Sequence, residues 1–230
     1  MLLLGAGKLG KVLLTSGTML LSVITYSFVF GWPYAAGFVV LIFIHEMGHY
    51  IAARQRGLDV GAPTFIPFVG AWIEMKSLPH DAETEAYVGL GGPVAGTLGA
   101  FACYFLARSQ DSELLMALAY AGFMLNLFNM LPISPLDGGR IVGVVSPKIW
   151  WIGAPLLIAL FMWRPSPMLI LIAIMAAPQL LASLRGDQGR SAGYYDIPLA
   201  TRINYGCWYL GLLAILALLT FELHSALRGA

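Results

Sequence analysis

Charge is what this sequence has least of: Asp, Glu, Lys and Arg make up 11% of its 230 residues, where a soluble globular domain carries roughly 25%. So small a charged share excludes a water-soluble fold of this size, which needs far more polar surface. The charges that remain nearly cancel, at a net +1. With a pI near 7.8, the chain lacks the basic surface that a nucleic-acid partner would require. Cysteine is scarce as well. Cys103 and Cys207 lie in apolar stretches with no CxxC spacing, which excludes a disulfide framework and a thiolate metal site and reads them as small buried hydrophobes.

What fills the sequence instead is apolar residues, 59% of the total. Charged residues and Gly/Pro clusters punctuate them into segments at 12–31, 34–53, 87–107, 113–132, 149–163, 167–184 and 205–223. Lys8 and Lys11 ahead of the first run resemble a signal peptide. That run is as long as a bilayer span, about 20 residues, and reads as a retained helix. The short fifth segment is parted from the sixth by Pro165 and Pro167, so the two could form one broken helix. Charge arbitrates between six spans and seven. Seven spans with a cytosolic N-terminus put all but Arg108, Arg164 and Arg228 of the 13 Lys and Arg on the cytosolic side, a strong positive-inside bias that merging would erase. The expectation is an all-α polytopic membrane protein of six to seven transmembrane helices, seven being favoured. The long loop 54–86 carries the apolar run 63–73 with Pro63 and Pro67, too short and proline-rich to span. It reads as a re-entrant or interfacial excursion. Asp81, Glu83 and Glu85 then precede the third span and suit a helix N-terminus.

The second segment ends in His45-Glu46-Met47-Gly48-His49. A carboxylate at the bilayer centre costs about 2.5–3.5 kcal/mol even on lenient scales, so three ionisable groups here need a purpose. At i and i+4, His45 and His49 share a helix face and can point both rings at one ion. Glu46 is offset enough to reach a water on that ion and take its proton, the hydrolytic HExxH arrangement. Two histidines leave a catalytic zinc one protein ligand short. The fourth segment ends in Asn129-Met-Leu-Pro132-Ile-Ser-Pro-Leu136-Asp137-Gly138-Gly139-Arg140, on the same side of the membrane in the seven-span arrangement. There the prolines end the helix and the paired glycines permit a turn that aims Asp137 back at the metal. An ordinary juxtamembrane turn fits the same residues.

Together, the HExxH and the NxxPxxxLDG pattern, matched without a gap, resemble the paired signatures of the site-2 protease family of intramembrane zinc metalloproteases. Gly92-Pro93-Val-Ala-Gly96 looks like a family feature, and the excursion at 63–73 is similar to the family's membrane re-entrant β-hairpin. The resemblance covers roughly residues 34–140 and implies one Zn2+ per chain, held by His45, His49 and Asp137. It makes Glu46 the catalytic acid/base and gives Asn129 a part in binding substrate or intermediate. It also implies a catalytic core at about 34–140 within a single membrane-embedded metalloprotease domain, 1–230. PDZ and CBS domains, common in the family, find no room here. The implied activity is hydrolysis of peptide bonds in single-pass transmembrane substrates, in regulated intramembrane proteolysis of a tethered regulator. The implied setting is a multi-pass protein of the bilayer (plasma or inner membrane if bacterial), with its N-terminus and site opening cytosolic.

Other readings compete. An ion or proton transporter would need ionisable residues in several further spans, and they are missing. An inactive zinc-binding member that holds a membrane partner is opposed only by the retention of Glu46. Gly5-Ala-Gly7-Lys-Leu-Gly10 matches GxGxxG, but no strand precedes it. Arg185-Gly-Asp187 reads as a chance RGD triplet, His80 as a solvated histidine, and His224 as remote from the site. Gly92, Gly96 and Gly99 read as close-packing positions, and Trp150, Trp151, Trp163, Tyr194 and Tyr195 as interfacial anchors.

Overall fold

The computed structural model describes residues 2–68, 70–185 and 192–229. Helices dominate. The order is α1 (Leu2–Phe30), α2 (Trp32–Gln55), β1 (Val60–Ile66), β2 (Gly70–Met75), α3 (Ala82–Gln110), α4 (Glu113–Asn129), α5 (Asp137–Val145), α6 (Trp150–Trp163), α7 (Pro167–Arg185) and α8 (Leu199–Gly229), with a 3-10 turn at Pro147–Ile149. Each of the seven expected apolar segments falls on one of these helices. Leu13–Phe30, Trp32–Gln55, Ala82–Gln110 and Leu199–Leu227 are long and apolar enough to cross a membrane. Three further apolar helices are shorter. At about 1.5 Å per residue, the 17 residues of α4 reach some 25 Å, short of a hydrocarbon core of about 30 Å. Large apolar side chains are exposed in series along the helices, among them Leu20, Leu21, Ile24, Phe28 and Val29 on α1 and Ile158, Met162 and Trp163 on α6, a surface suited to lipid.

Local chemistry sets the boundaries. Gly31 takes φ 79 between α1 and α2, and Pro33 occupies the first turn of α2, where its missing N–H is harmless. Gly57 (φ 74) closes α2 in a Schellman motif: Leu58 N–H donates to Ala53 O at 3.0 Å and Gly57 N–H to Arg54 O at 3.1 Å. Asp81 caps α3, its Oδ1 accepting from Thr84 N–H at 2.7 Å, in line with the acidic cluster read there.

The excursion at 63–73 is an antiparallel hairpin, pairing Pro63 with Ile73 and Thr64 with Trp72. Packing is densest where α3 lies between α2 and α4. The α2–α3 crossing depends on Gly48 and Gly91, since a Cβ on either would overlap the other's backbone. α1 covers α2 and β1, while α8 packs along α4 and α5.

Three expectations change. Asp137-Gly138-Gly139 is the first turn of a nine-residue helix, not a free turn; the loop 130–136 doubles back so tightly that a Cβ at Gly138 would overlap the carbonyls of Met130 and Leu131. Trp150 and Tyr194, at 4% and 3% exposure, belong to the core, whereas Trp151 and Trp163 keep the exposed positions expected of anchors. Cys207 is exposed and Cys103 half-buried, so neither is a fully buried hydrophobe. The GxGxxG stretch lies inside α1, and Gly186 and Asp187 of the RGD triplet lie outside the described residues.

Candidate metal centre

The second half of α2 presents His45, Glu46 and His49, all buried. Asp137 reaches them from the start of α5 and is 6% exposed. His45 Nε2 lies 3.2 Å from Asp137 Oδ2 and His49 Nε2 3.2 Å from Asp137 Oδ1. The two ring nitrogens are 3.1 Å apart. A tetrahedral ion about 2.0–2.1 Å from each donor needs neighbouring donors roughly 3.3 Å apart. The spacing fits.

The hydrogen bonds behind the rings decide where the protons are. Asn126 is 1% exposed, and its Nδ2 donates to Gly122 O at 2.7 Å. That fixes the amide with Oδ1 toward His45 Nδ1, at 2.9 Å, so Nδ1 carries the hydrogen and donates it. His49 Nδ1 faces the carbonyl of Val88 at 2.7 Å, which can only accept, so it too must donate. Both Nε2 atoms are then bare in the neutral rings. Two lone pairs and a carboxylate converge on one point, an arrangement that needs positive charge between them. Gly92 supplies the space: a Cβ there would collide with Nε2 of both histidines. Donor type, spacing and the space that Gly92 leaves all fit a divalent zinc held by His45, His49 and Asp137, the one such cluster among the described residues.

Glu46 is 9% exposed, interacts electrostatically with His45, His49, Asp137 and Arg140, and accepts no hydrogen bond among the described residues. A carboxylate with free lone pairs beside such a centre is able to take up a proton. Asn129, expected at the substrate, turns its Nδ2 to Leu125 O of its own helix at 3.1 Å. The asparagine that touches the site is Asn126, one turn earlier, whose role sequence reasoning missed. Its signal was an amide at the i−3 position from Asn129, deep in an otherwise apolar helix. Gly96, read as a packing position, makes room for the Asn126 amide. His80 stands at the surface beside Asp81, and His224 pairs with Tyr120; neither joins the cluster.

Comparison with known proteins places this geometry among relatives. The family described as Peptidase family M50 matches residues 33–111. The putative zinc metalloprotease MJ0611 of Methanocaldococcus jannaschii is 30% identical over 173 residues, covering 60% of this chain and 87% of that protein. The zinc metalloprotease MJ0392 of the same organism is 27% identical over 114 residues, 47% of this chain and 33% of its own length. The putative zinc metalloprotease Rip3 of Mycobacterium tuberculosis is 31% identical over 133 residues, 51% of this chain and 33% of its own. The chain thus spans a third of the length of these last two. A solved structure, the site-2 protease from Methanocaldococcus jannaschii, shares the fold at a TM-score of 0.51 and 23% identity, over 70% of this chain and 85% of that one.

Proposed function

The chain belongs to peptidase family M50, the site-2 protease family of zinc metalloproteases, and on that premise we propose that it is an intramembrane endopeptidase. Its substrates are membrane-spanning polypeptides, of the tethered-regulator kind released by regulated intramembrane proteolysis. The observation that carries this reading is the convergence of three bare donor atoms beside the buried carboxylate of Glu46, which accepts no hydrogen bond among the described residues.

His45, His49 and Asp137 hold the metal. When bound, zinc acidifies water and polarises the scissile carbonyl. Glu46 receives the proton from the attacking water, holds it on a carboxylate oxygen and delivers it to the leaving amine. Asn126 and Val88 keep both imidazoles in the tautomer that leaves Nε2 free. The bond from Asn129 Nδ2 to Leu125 O uses one of the two amide hydrogens, so the other and Oδ1 can take up the substrate role expected of this residue.

A helical substrate must unwind before its carbonyls are accessible, and the hairpin offers the extended segment a strand to pair with. One of its two edges is already covered. Thr15 Oγ1 donates to Pro63 O at 2.7 Å, Phe65 N–H donates to Thr18 Oγ1 at 3.2 Å, and Phe68 N–H to Tyr26 Oη at 3.0 Å. Two outward backbone groups of β1, Pro63 O and Phe65 N–H, are thus bonded to α1, and so is Phe68 N–H in the turn beyond it. Alternation along the strands then points Thr64 toward Trp72 and leaves Ala71 and Ile73 with their groups on the outer edge of β2. Ile73 packs against the cluster containing Val88, whose carbonyl holds His49, which supports β2 as the pairing strand.

The charge bias supports seven spans with the N-terminus and site opening cytosolic, in a single membrane-embedded domain whose catalytic core is residues 34–140. The test is co-expression with candidate single-pass proteins, comparing the parent with Glu46→Gln and Asp137→Ala. Glu46→Gln should keep its metal and lose cleavage; cleavage at the parental rate would remove Glu46 from the mechanism.

A further inference from the structure

The segment that carries Asp137 is held from behind by residues far beyond the HExxH and NxxPxxxLDG motifs. Tyr209 of α8, 8% exposed, donates its hydroxyl to Met130 O at 2.7 Å, where the end of α4 leaves a carbonyl without a helical partner. Trp150 donates Nε1–H to Gly139 O at 2.8 Å, two residues beyond Asp137 in the first turn of α5. Arg202, also on α8, donates from Nη1 to Val145 O at 3.1 Å, the last carbonyl of α5. Its other nitrogens hold the strap that leads into α8, Nη2 to Tyr195 O at 2.8 Å and Nε to Ile197 O at 3.0 Å. Nine residues are too few for a helix to be stable by itself, so α5 takes its position from its neighbours. α3 supplies one face, with Gly89 against Arg140 and Ile141. α8 supplies the restraint at both ends of segment 130–145. A guanidinium at the C-terminus of α5 also complements the helix dipole whose positive end lies at Asp137.

We propose that Arg202 and Tyr209, together with Trp150, are positioning residues for the metal centre. They hold segment 130–145 at both ends so that the Asp137 carboxylate meets His45 and His49, which makes α8 a working part of the site. The inference rests on the metal-centre reading above but not on proteolysis.

Cobalt(II) is the probe, titrated into purified full-length protein in detergent against a chromophoric chelator, with its visible spectrum and the melting temperature recorded alongside. Tyr209→Phe removes one hydroxyl and little volume; Arg202→Gln removes charge and fork, and Arg202→Lys restores the charge. Each of the first two should weaken cobalt binding about 3- to 10-fold and alter the visible bands. Arg202→Lys should recover part of the loss. Leu210→Ala, on the exposed side of α8, should leave affinity and spectrum alone. Parental affinity and spectrum in Tyr209→Phe and Arg202→Gln, whatever their melting temperatures, would reduce α8 to ordinary packing and overturn the proposal. A parent chain that binds no cobalt would overturn the metal centre and this inference with it. Weakened cobalt binding without any detectable cleavage would uphold the inference and count against the protease reading alone.

Discussion

Replacing Asn126 with alanine removes the acceptor that holds His45 in its working tautomer. The amide makes two bonds, and they are unequal. Its Nδ2 bond to Gly122 O is dispensable, because that carbonyl sits in the middle of α4 and has its own helical donor. The Oδ1 bond to His45 Nδ1 at 2.9 Å is different: His45 is 4% exposed, so the abandoned N–H finds little water. The ring can recover only by moving its hydrogen to Nε2, which blocks the metal-binding atom, or by turning. Loss of such a partner typically weakens metal binding 10- to 100-fold, about 1.4–2.8 kcal/mol. Asn126→Asp keeps an acceptor in the same place and should bind metal more tightly than Asn126→Ala by that same factor. The assay is zinc competition with a chromophoric chelator on detergent-purified protein, with helix content by circular dichroism as a control. An Asn126→Ala chain that binds zinc within twofold of the parent would refute the assignment of tautomer and of the residue behind it.

Gly92→Ala should abolish metal binding, because its methyl collides with both Nε2 atoms, and should lower thermal stability as well, since overpacking two buried rings costs about 1–3 kcal/mol; metal analysis and a melting curve on one sample decide it. Asp81→Ala should cost about 1 kcal/mol of stability through loss of the α3 cap, read by denaturation in detergent. Partial burial pushes the Asp81 carboxyl up, but the hydrogen bonds from Thr84 together with the attraction of His80 and Arg56 more than offset this and hold it below its ordinary value. Its contribution is therefore complete above about pH 4 and fades as acid takes the pH down through the folded value, so parent and variant should converge there. Thr15→Val with Thr18→Val leaves Pro63 O and Phe65 N–H without partners, at about 1–3 kcal/mol each. Hydrogen exchange at Phe65 should quicken at least tenfold; an unchanged rate would show that α1 does not cover that edge.

Much of the site could be read before any coordinates, because its signals are local. His45 and His49 share a face by helical periodicity, Asp81 precedes its helix as a cap should, and Pro63 and Pro67 bar a helix where the hairpin forms. α5 escaped notice because Asp-Gly-Gly has the composition of a turn. Its glycines serve a different need, the approach of the 130–136 loop, which only tertiary packing reveals. Asn126 and Asn129 sit a single turn apart on α4, and nothing in their spacing tells which amide faces α2. Trp150 and Tyr194 carry the composition of membrane anchors, and their burial follows from carbonyl and carboxylate partners distant in sequence. For the same reason the part played by Arg202 and Tyr209 is invisible in the motifs: backbone carbonyls, their targets, look alike at every residue.

The donors and their supports come from four separate helices: α2 brings the imidazoles, α3 the Val88 carbonyl, α4 the Asn126 amide and α5 the carboxylate. An ion seated among them would therefore act as a rivet through the bundle. Thermodynamic linkage then ties occupancy to cohesion, with every tenfold excess of free ion over its dissociation constant adding about 1.4 kcal/mol against unfolding. Starvation for the metal would loosen the whole helical assembly along with silencing its chemistry, leaving an idle molecule more open to cellular disposal than a working one.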